Sequence, residues 1–130
     1  MIYLALRTDS PQAELYLYDG ETQIASELWQ ADRRLALELL GHLETFLSSV
    51  DKTFTDVTGL LVYRGPGSFT GLRIGITVMN TIAYANNIQL VGADGEAWLE
   101  DGVRRLVEGD TDKVVMPLYG ADPRITKPTK

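Results

Sequence analysis

A glycine-rich corner in the middle of the chain contains the residues best suited to binding chemistry. Three glycines fall within seven residues: Gly65, Gly67 and Gly71. A residue without a Cβ can take positive φ or let another group approach closely, and Pro66 stiffens the turn. Ser68 or Thr70 can accept hydrogen bonds from the unpaired first-turn N–H groups of a following helix. The combination favours an anion such as a phosphate, although a plain strand-to-helix connection gives the same pattern.

Little else in the sequence suggests catalysis. The only histidine, His42, falls at the margin of an apolar helical face with no partner ligands nearby, so we interpret it as a boundary residue with a local hydrogen bond. We predict no catalytic residues and no metal site. The remaining enzymatic hypothesis is a small nucleotide-binding or phosphoryl-transfer protein that uses the loop. That loop would comprise Gly65, Pro66, Gly67, Ser68, Phe69, Thr70 and Gly71, followed by Arg73.

Composition limits the classes of protein that the chain can represent. Its 130 residues are enough for one domain with a real core. The formal net charge of −6 argues against direct nucleic-acid binding, which needs clustered Lys and Arg. There are no cysteines, and no apolar run reaches membrane-spanning length or forms a signal sequence. We therefore expect a cytoplasmic protein without a membrane association.

The first thirty residues predict an antiparallel sheet. Three strands are expected, at residues 2–6, 14–18 and 22–29, on the basis of apolar runs and period-two alternation. Asp19-Gly20 is a strong hairpin turn. In the third strand, Ile24 and Leu28 are expected to point inward.

An amphipathic helix is predicted over residues 32–50, with Asp32 as its N-cap. Eight apolar residues fill an arc of about 140° on the helical wheel: Leu35, Ala36, Leu39, Leu40, Leu43, Phe46, Leu47 and Val50. Leu37 lies outside this arc.

The second half of the chain predicts alternating strands and helices. A buried strand at residues 59–62 leads into the glycine corner and a helix over residues 70–86, followed by a strand at 88–91 and a helix at 96–107. The helix at 70–86 is apolar over roughly 200° of the wheel, so something must cover its second face. Gly71 and Gly75, one turn apart, would let another backbone approach that face. A last strand is expected at 114–116, before an irregular tail with several prolines.

The run GPGSFTGLRIG resembles the signature of the TsaB (YeaZ-like) family, which takes part in making threonylcarbamoyladenosine in tRNA. The resemblance implies a non-catalytic relative of the enzyme TsaD within the actin-like superfamily. That family carries an Asp-Thr pair after the first strand, where this chain has Arg7-Thr8. Arg7 cannot ligate Mg²⁺ as a carboxylate does, so it argues against metal-dependent phosphoryl chemistry unless Asp9 takes the role. Arg7 is otherwise expected to be a solvated loop residue.

The order of elements fits one ribonuclease-H-like half of the actin-like (ASKHA) fold. This is an α/β class with a mixed five-stranded sheet, an N-terminal antiparallel hairpin and flanking helices. We assign residues 1–108 to this domain and 109–130 to a C-terminal strand and proline-containing tail. Compared with the family, the chain is a short form that lacks the second actin-like domain.

The resemblance implies that the chain is a partner or scaffold of a TsaD-like enzyme in forming N6-threonylcarbamoyladenosine at position 37 of tRNA. A TsaE-like ATPase would join the assembly. No cofactor is expected in the isolated chain, and ATP with Mg²⁺ only in a complex. A homodimer without a tRNA role is the other open alternative, because it needs the same apolar surface. The predicted partner interface comprises Leu35, Leu37, Leu40, Leu47, Gly71, Ile74, Gly75, Val78, Ile82 and Ala85.

Overall fold

A computed structural model of the protein describes residues 1–67 and 70–118, without the side chain of Asp32. Ser68, Phe69 and the tail from residue 119 onward lie outside the described residues. The strands are β1 (Ile2–Arg7), β2 (Gln12–Asp19), β3 (Thr22–Gln30), β4 (Val57–Gly65) and β5 (Gln89–Asp94). The helices are α1 (Leu35–Ser48), α2 (Thr70–Asn86) and α3 (Trp98–Val107), with short 3₁₀ turns at Asp32–Arg34 and Phe54–Asp56.

The five strands form one mixed sheet in the order β3-β2-β1-β4-β5. β1 pairs antiparallel with β2, and β2 antiparallel with β3. β4 runs parallel to both β1 and β5. The predicted α/β class, with a mixed five-stranded sheet that begins in an antiparallel hairpin, is confirmed.

Helices cover both faces of the sheet, and side chains of each strand alternate between them. α1 and α2 pack against each other on one face, over leucines such as Leu4 and Leu60 that are fully buried. α3 packs on the other face against β4 and β5. There the ring of Trp98 meets that of Tyr63 edge to face at 5.6 Å.

The third strand is oriented differently from the prediction. Ile24 and Leu28 are exposed rather than inward, and Ala25, Glu27 and Trp29 are the partly buried positions. Leu28 pairs with Glu14 on the sheet face that carries α3, but α3 contacts β5, β4 and β1 and leaves this end of the face open. Ile24 is the extra residue at an irregularity in the pairing of β2 with β3.

The start of the first helix also differs from the prediction. Asp32 belongs to a 3₁₀ turn, and α1 begins only at Leu35, with Arg34 at the N-cap position and no side-chain cap. The helix ends at Ser48 rather than Val50. The first three residues of the predicted helix, 32–34, form the 3₁₀ turn instead. By contrast, the bounds predicted for α2 are confirmed.

The strand expected at residues 114–116 is not formed. Residues 110–118, which we call the edge strap, instead bind the free edge of β5 mainly through side chains. Thr111 Oγ1 accepts a hydrogen bond from Leu90 N–H at 3.0 Å, and the Asp112 carboxylate accepts one from Gly92 N–H at 2.9 Å. Because side chains occupy these donors, no backbone ladder can form along them.

The strap is also held from the side of α2. Asn80 donates to the Val115 carbonyl and accepts from the Val115 N–H, both at 2.9 Å. The Arg64 guanidinium donates to the Met116 carbonyl. The backbone groups of the expected strand are therefore used by side chains of α2 and β4.

No described helix has the length and apolar character that crossing a membrane requires. The longest, α2, has 17 residues.

Two helical glycines provide a matched test of this packing. A Cβ at Gly41, in α1, would contact nothing within 4 Å, whereas a Cβ at Gly102, in α3, would overlap the buried Leu61 side chain. Gly41→Ala should raise the free energy of unfolding by about 0.5–1 kcal/mol, because glycine is the poorer helix former. Gly102→Ala should lower it, because overpacking costs about 1–3 kcal/mol. Urea denaturation measures both, and equal gains in the two variants would contradict the packing of α3.

Candidate functional site

The glycine corner is shaped by its neighbours at the end of β4. Gly65 has φ of +133°, and a Cβ there would overlap the carbonyl oxygen of Leu118. The peptide bond between Gly65 and Pro66 is cis. The Tyr63 hydroxyl donates to the Pro66 carbonyl at 2.9 Å, and Gly95 N–H donates to the Gly65 carbonyl at 3.0 Å. Several elements therefore fix the backbone at Gly65 and Pro66.

Among Gly65, Gly67 and Gly71, positive φ falls at Gly65. Gly67 lies outside the positive-φ range, and a Cβ there would approach the Cβ of Asp9 at 3.3 Å. Its role is to leave room for the chain after β1, whereas Gly65 supplies the unusual backbone angle. Thr70 is the first helical residue of α2 rather than its cap, and Ser68 lies outside the described residues.

The chain directly after β1 binds the first two turns of α2 through Thr8, and we call this contact of Thr8 with Gly71 and Gly75 the clasp. The Thr8 hydroxyl is buried and donates to the Gly71 carbonyl at 2.6 Å. One turn further, a Cβ at Gly75 would overlap Thr8 Oγ1. The close approach predicted for these two glycines is therefore made by Thr8 of the same chain, and both glycines are buried. Gly75 therefore serves an internal contact rather than the predicted partner interface, whereas Gly71 also lines a groove at the helix starts.

Arg7 and Asp9 form an ion pair beside this clasp. The Arg7 guanidinium donates to both Asp9 oxygens, at 2.8 and 3.0 Å, and lies 3.9 Å above the Tyr63 ring. The hydrogen bond to Asp9 raises the pKa of Arg7 above its usual value. Arg7 is thus the partly buried last residue of β1, and the interpretation as a solvated loop residue is wrong.

These contacts occupy the groups that a phosphate or metal would need at the end of β1. Both Asp9 oxygens accept from Arg7, and the Thr8 hydroxyl is committed to Gly71. Over residues 1–67 and 70–118, no group of three or more His, Cys, Asp or Glu side chains could hold a metal ion. The described part of the corner is built from internal contacts.

His42 takes part in a long-range contact rather than a local one. Its Nε2 is hydrogen-bonded to the carboxylate of Glu27 on β3, and its ring stacks on Trp29 at 4.0 Å with an interplanar angle of 6°. The prediction of a boundary position holds, but the predicted local partner is wrong. The histidine fastens α1 to the outermost strand of the sheet.

The predicted docking residues divide into core and surface. Leu35, Leu47 and Ile82 are buried and belong to the core, although Leu35 also contributes to the lining of a groove at the helix starts. Ile74 and Val78 are partly buried, at the margin of α2. Leu37 is 80% exposed and Leu40 51% exposed. Ala85 is also exposed.

The solvent-exposed face of α2 is less apolar than the helical wheel predicts. Its exposed residues are Thr70, Arg73, Thr77, Thr81, Tyr84, Ala85 and Asn86. One margin of the helix meets α1, and the other is bonded to the strap through Asn80. Much of the second face of α2, for which the sequence predicts a covering partner, is therefore covered by α1 and the edge strap of the same chain.

A groove of about 660 Å³ opens where the starts of α1 and α2 meet. It is lined by Pro11, Arg33, Arg34, Leu35, Thr70, Gly71 and Ile74. We call this the helix-start groove. Arg33 and Arg34 were not predicted as site residues, although two adjacent arginines before a helix are visible in the sequence.

A mixed sheet in this order, antiparallel on one side and parallel on the other with helices on both faces, defines one half of an actin-like fold. The family model of TsaD, tRNA N6-adenosine threonylcarbamoyltransferase, matches residues 29–98. The chain belongs to this family, as a TsaB/YeaZ-like member.

Relatives of known name and structure agree with this placement. The chain is 25% identical to the tRNA threonylcarbamoyladenosine biosynthesis protein TsaB of Bacillus subtilis, over 93% of the chain and 51% of that protein. It is 30% identical to TsaB of Escherichia coli, over 82% of the chain and 48% of that protein. The structure of YeaZ from Pseudomonas aeruginosa matches with a TM-score of 0.65 and 26% identity, over 78% of this chain and 50% of that one. The chain thus spans about half the length of these relatives.

The clasp between Thr8 and α2 can be tested by a double-mutant cycle. Thr8→Ala should cost about 1–3 kcal/mol, because the Gly71 carbonyl loses its buried donor. Gly75→Ala should cost a similar amount by overpacking. In the double variant the new methyl group occupies the space vacated at Thr8, so the combined loss should be smaller than the sum by about 1 kcal/mol or more.

The control cycle pairs Thr8→Ala with Gly41→Ala, whose site in α1 is open, and should be additive. Urea denaturation supplies all the free energies. Additivity in the Thr8–Gly75 cycle would show that the clasp does not exist.

Proposed function

We propose that the chain is a non-catalytic partner of a TsaD-like enzyme in the biosynthesis of N6-threonylcarbamoyladenosine in tRNA, acting in the cytoplasm. Two lines support the proposal. The relatives in Bacillus subtilis and Escherichia coli are named for this biosynthesis, and the matching family model is that of TsaD itself. In this role the enzyme supplies the chemistry and the chain supplies a docking surface.

The observation that carries the proposal is the exposure of two leucines on α1. Leu37 and Leu40 are 80% and 51% exposed, and they lie one helical turn apart on the same side of α1. Burying a leucine side chain contributes about 1.5–3 kcal/mol, so this pair is a strong anchor for a partner. Tyr84 of α2, 91% exposed, adds an aromatic side chain of the kind enriched at interface hot spots.

The proposed interface joins α1 and α2 to a corresponding helical surface of the enzyme. Such an interface is expected to bury more than about 1,000 Å² in total. A TsaE-like ATPase could join this assembly. The rigid clasp of Thr8 on Gly71 and Gly75 supports the role, because it fixes α2 before the partner arrives and reduces the ordering cost of binding.

In this proposal ATP and Mg²⁺ bind only within the complex. The end of β1 offers few free groups to ATP or Mg²⁺, since the Asp9 carboxylate binds Arg7 and the Thr8 hydroxyl binds the Gly71 carbonyl. The nucleotide-binding alternative would have to break both contacts.

Docking is tested by charge substitutions at the exposed leucines. Leu37→Glu and Leu40→Glu should each weaken binding to the TsaD-like enzyme of the same cells by at least about 10-fold, because a carboxylate at a dry interface costs several kcal/mol. Calorimetric titration gives the dissociation constants. The matched control is Leu28→Glu: Leu28 is 61% exposed but lies on the opposite face of the sheet.

Circular dichroism and thermal unfolding should show that all three variants remain folded, since each residue is exposed. Equal effects of Leu28→Glu and Leu37→Glu would contradict docking through α1. A wild-type chain that dimerises with itself and ignores the enzyme would favour the homodimer.

Nucleotide binding by the isolated chain separates the partner role from the enzymatic alternative. Calorimetry with ATP and Mg²⁺ should show no saturable binding in the low micromolar range. Low-micromolar binding that Arg7→Ala changes would favour a phosphoryl-transfer protein.

A further inference from the structure

Arginine pairing is uneven over the surface of this protein. Of the seven arginines in the described residues, five pair with carboxylates: Arg7, Arg34, Arg64, Arg104 and Arg105. Within the described residues, the other two, Arg33 and Arg73, have no ion pair. Both are exposed. Their charges are therefore available to another molecule.

The two free arginines lie at the starts of the two proposed docking helices. Arg33 is in the 3₁₀ turn that leads into α1, and it lines the helix-start groove. Arg73 is in the first turn of α2, a helix whose sequence contains no acidic residue. The first turn of a helix also presents the positive end of its dipole. Two unpaired positive charges therefore lie at this end of the helix pair, on a chain whose net charge is −6.

The helix-start groove beside Arg33 is largely apolar, since Pro11, Leu35, Gly71 and Ile74 contribute to its lining. Arg73 lines a second depression, shared by α2 and the edge strap. A surface of this kind fits acidic side chains that stand beside apolar ones on a protein. A nucleic-acid backbone is a poorer fit, because phosphate tracking needs a longer series of cations.

We propose that this end of the helix pair recognises carboxylates of the protein partner, with Arg33 and Arg73 as the groups that meet them. The inference rests on the proposed docking function and specifies the chemistry of the partner. Carboxylates opposite these arginines would steer the encounter and fix which way round the partner's surface docks. The apolar contacts at Leu37 and Leu40 would then hold the complex.

Charge reversal tests the inference. Arg33→Glu and Arg73→Glu are compared with Lys52→Glu, which makes the same charge change beyond the other end of α1. Association with the TsaD-like enzyme is followed by surface plasmon resonance at low salt and at about 0.15 M salt. The double reversal should slow association at low salt by about 10-fold or more and flatten its salt dependence, because steering of this kind changes on-rates by about 10–10³-fold. Lys52→Glu should change the rate less than about 2-fold.

A restoring change on the partner makes the result specific. A lysine in place of the matching acidic residue of the enzyme should recover the association rate of Arg33→Glu or Arg73→Glu. Wild-type binding that Leu37→Glu weakens but both arginine reversals leave unchanged would retain the proposed function and overturn this inference. A wild-type chain that does not bind the enzyme would overturn both.

Transfer RNA is the competing occupant. A gel-shift titration with unmodified tRNA should show no binding that depends on Arg33 or Arg73. Binding of tRNA that the reversals abolish, with enzyme association unchanged, would overturn the inference in favour of phosphate recognition.

Discussion

The contact between the end of β1 and the first two turns of α2 is the constraint on which the rest of the structure depends. Thr8 is buried, donates to the Gly71 carbonyl and fills the space left by Gly75. It ties the middle of the sheet to the helix that follows the glycine corner. Since α1 packs on α2, the same contact positions both helices of the proposed docking surface. A larger residue at Gly75 or a smaller one at Thr8 would disturb that arrangement without touching an exposed residue.

The contacts at the end of β1 also fit the proposed partner role. Groups at the end of β1 that could face a ligand are used inside the chain: Arg7 binds Asp9 and lies over Tyr63, and Thr8 binds α2. The free surface lies elsewhere, on α1 and at the starts of the two helices. The proposed binding surface and the glycine corner share Gly71, which lines the helix-start groove and accepts the hydrogen bond from Thr8.

Sequence reasoning succeeded where the signal is local. The hairpin follows from alternation around Gly20, and the bounds of α2 follow from the glycine corner and the apolar run. It failed where distant residues decide the outcome. Alternation in β3 shows two faces but cannot show that α3 leaves Leu28 uncovered. The strand expected at 114–116 is replaced because Asn80 and Arg64, far away in sequence, bind its backbone. In the candidate site, the helical wheel places Leu37 outside the apolar arc of α1, so its exposure can be predicted from the sequence. The ion pairs of the other described arginines cannot be predicted in this way. The unpaired charges of Arg33 and Arg73 therefore become visible only in the structure.

Hydrogen exchange on the chain, alone and with the TsaD-like enzyme of the same cells, tests docking through the helix pair most directly. The complex should slow amide exchange over α1 and the first turns of α2. Exchange should stay unchanged over α3 and the outer strand β3, which lie away from the proposed interface. Protection centred on α3 or on the open sheet face around Leu28, with none on α1, would contradict the account.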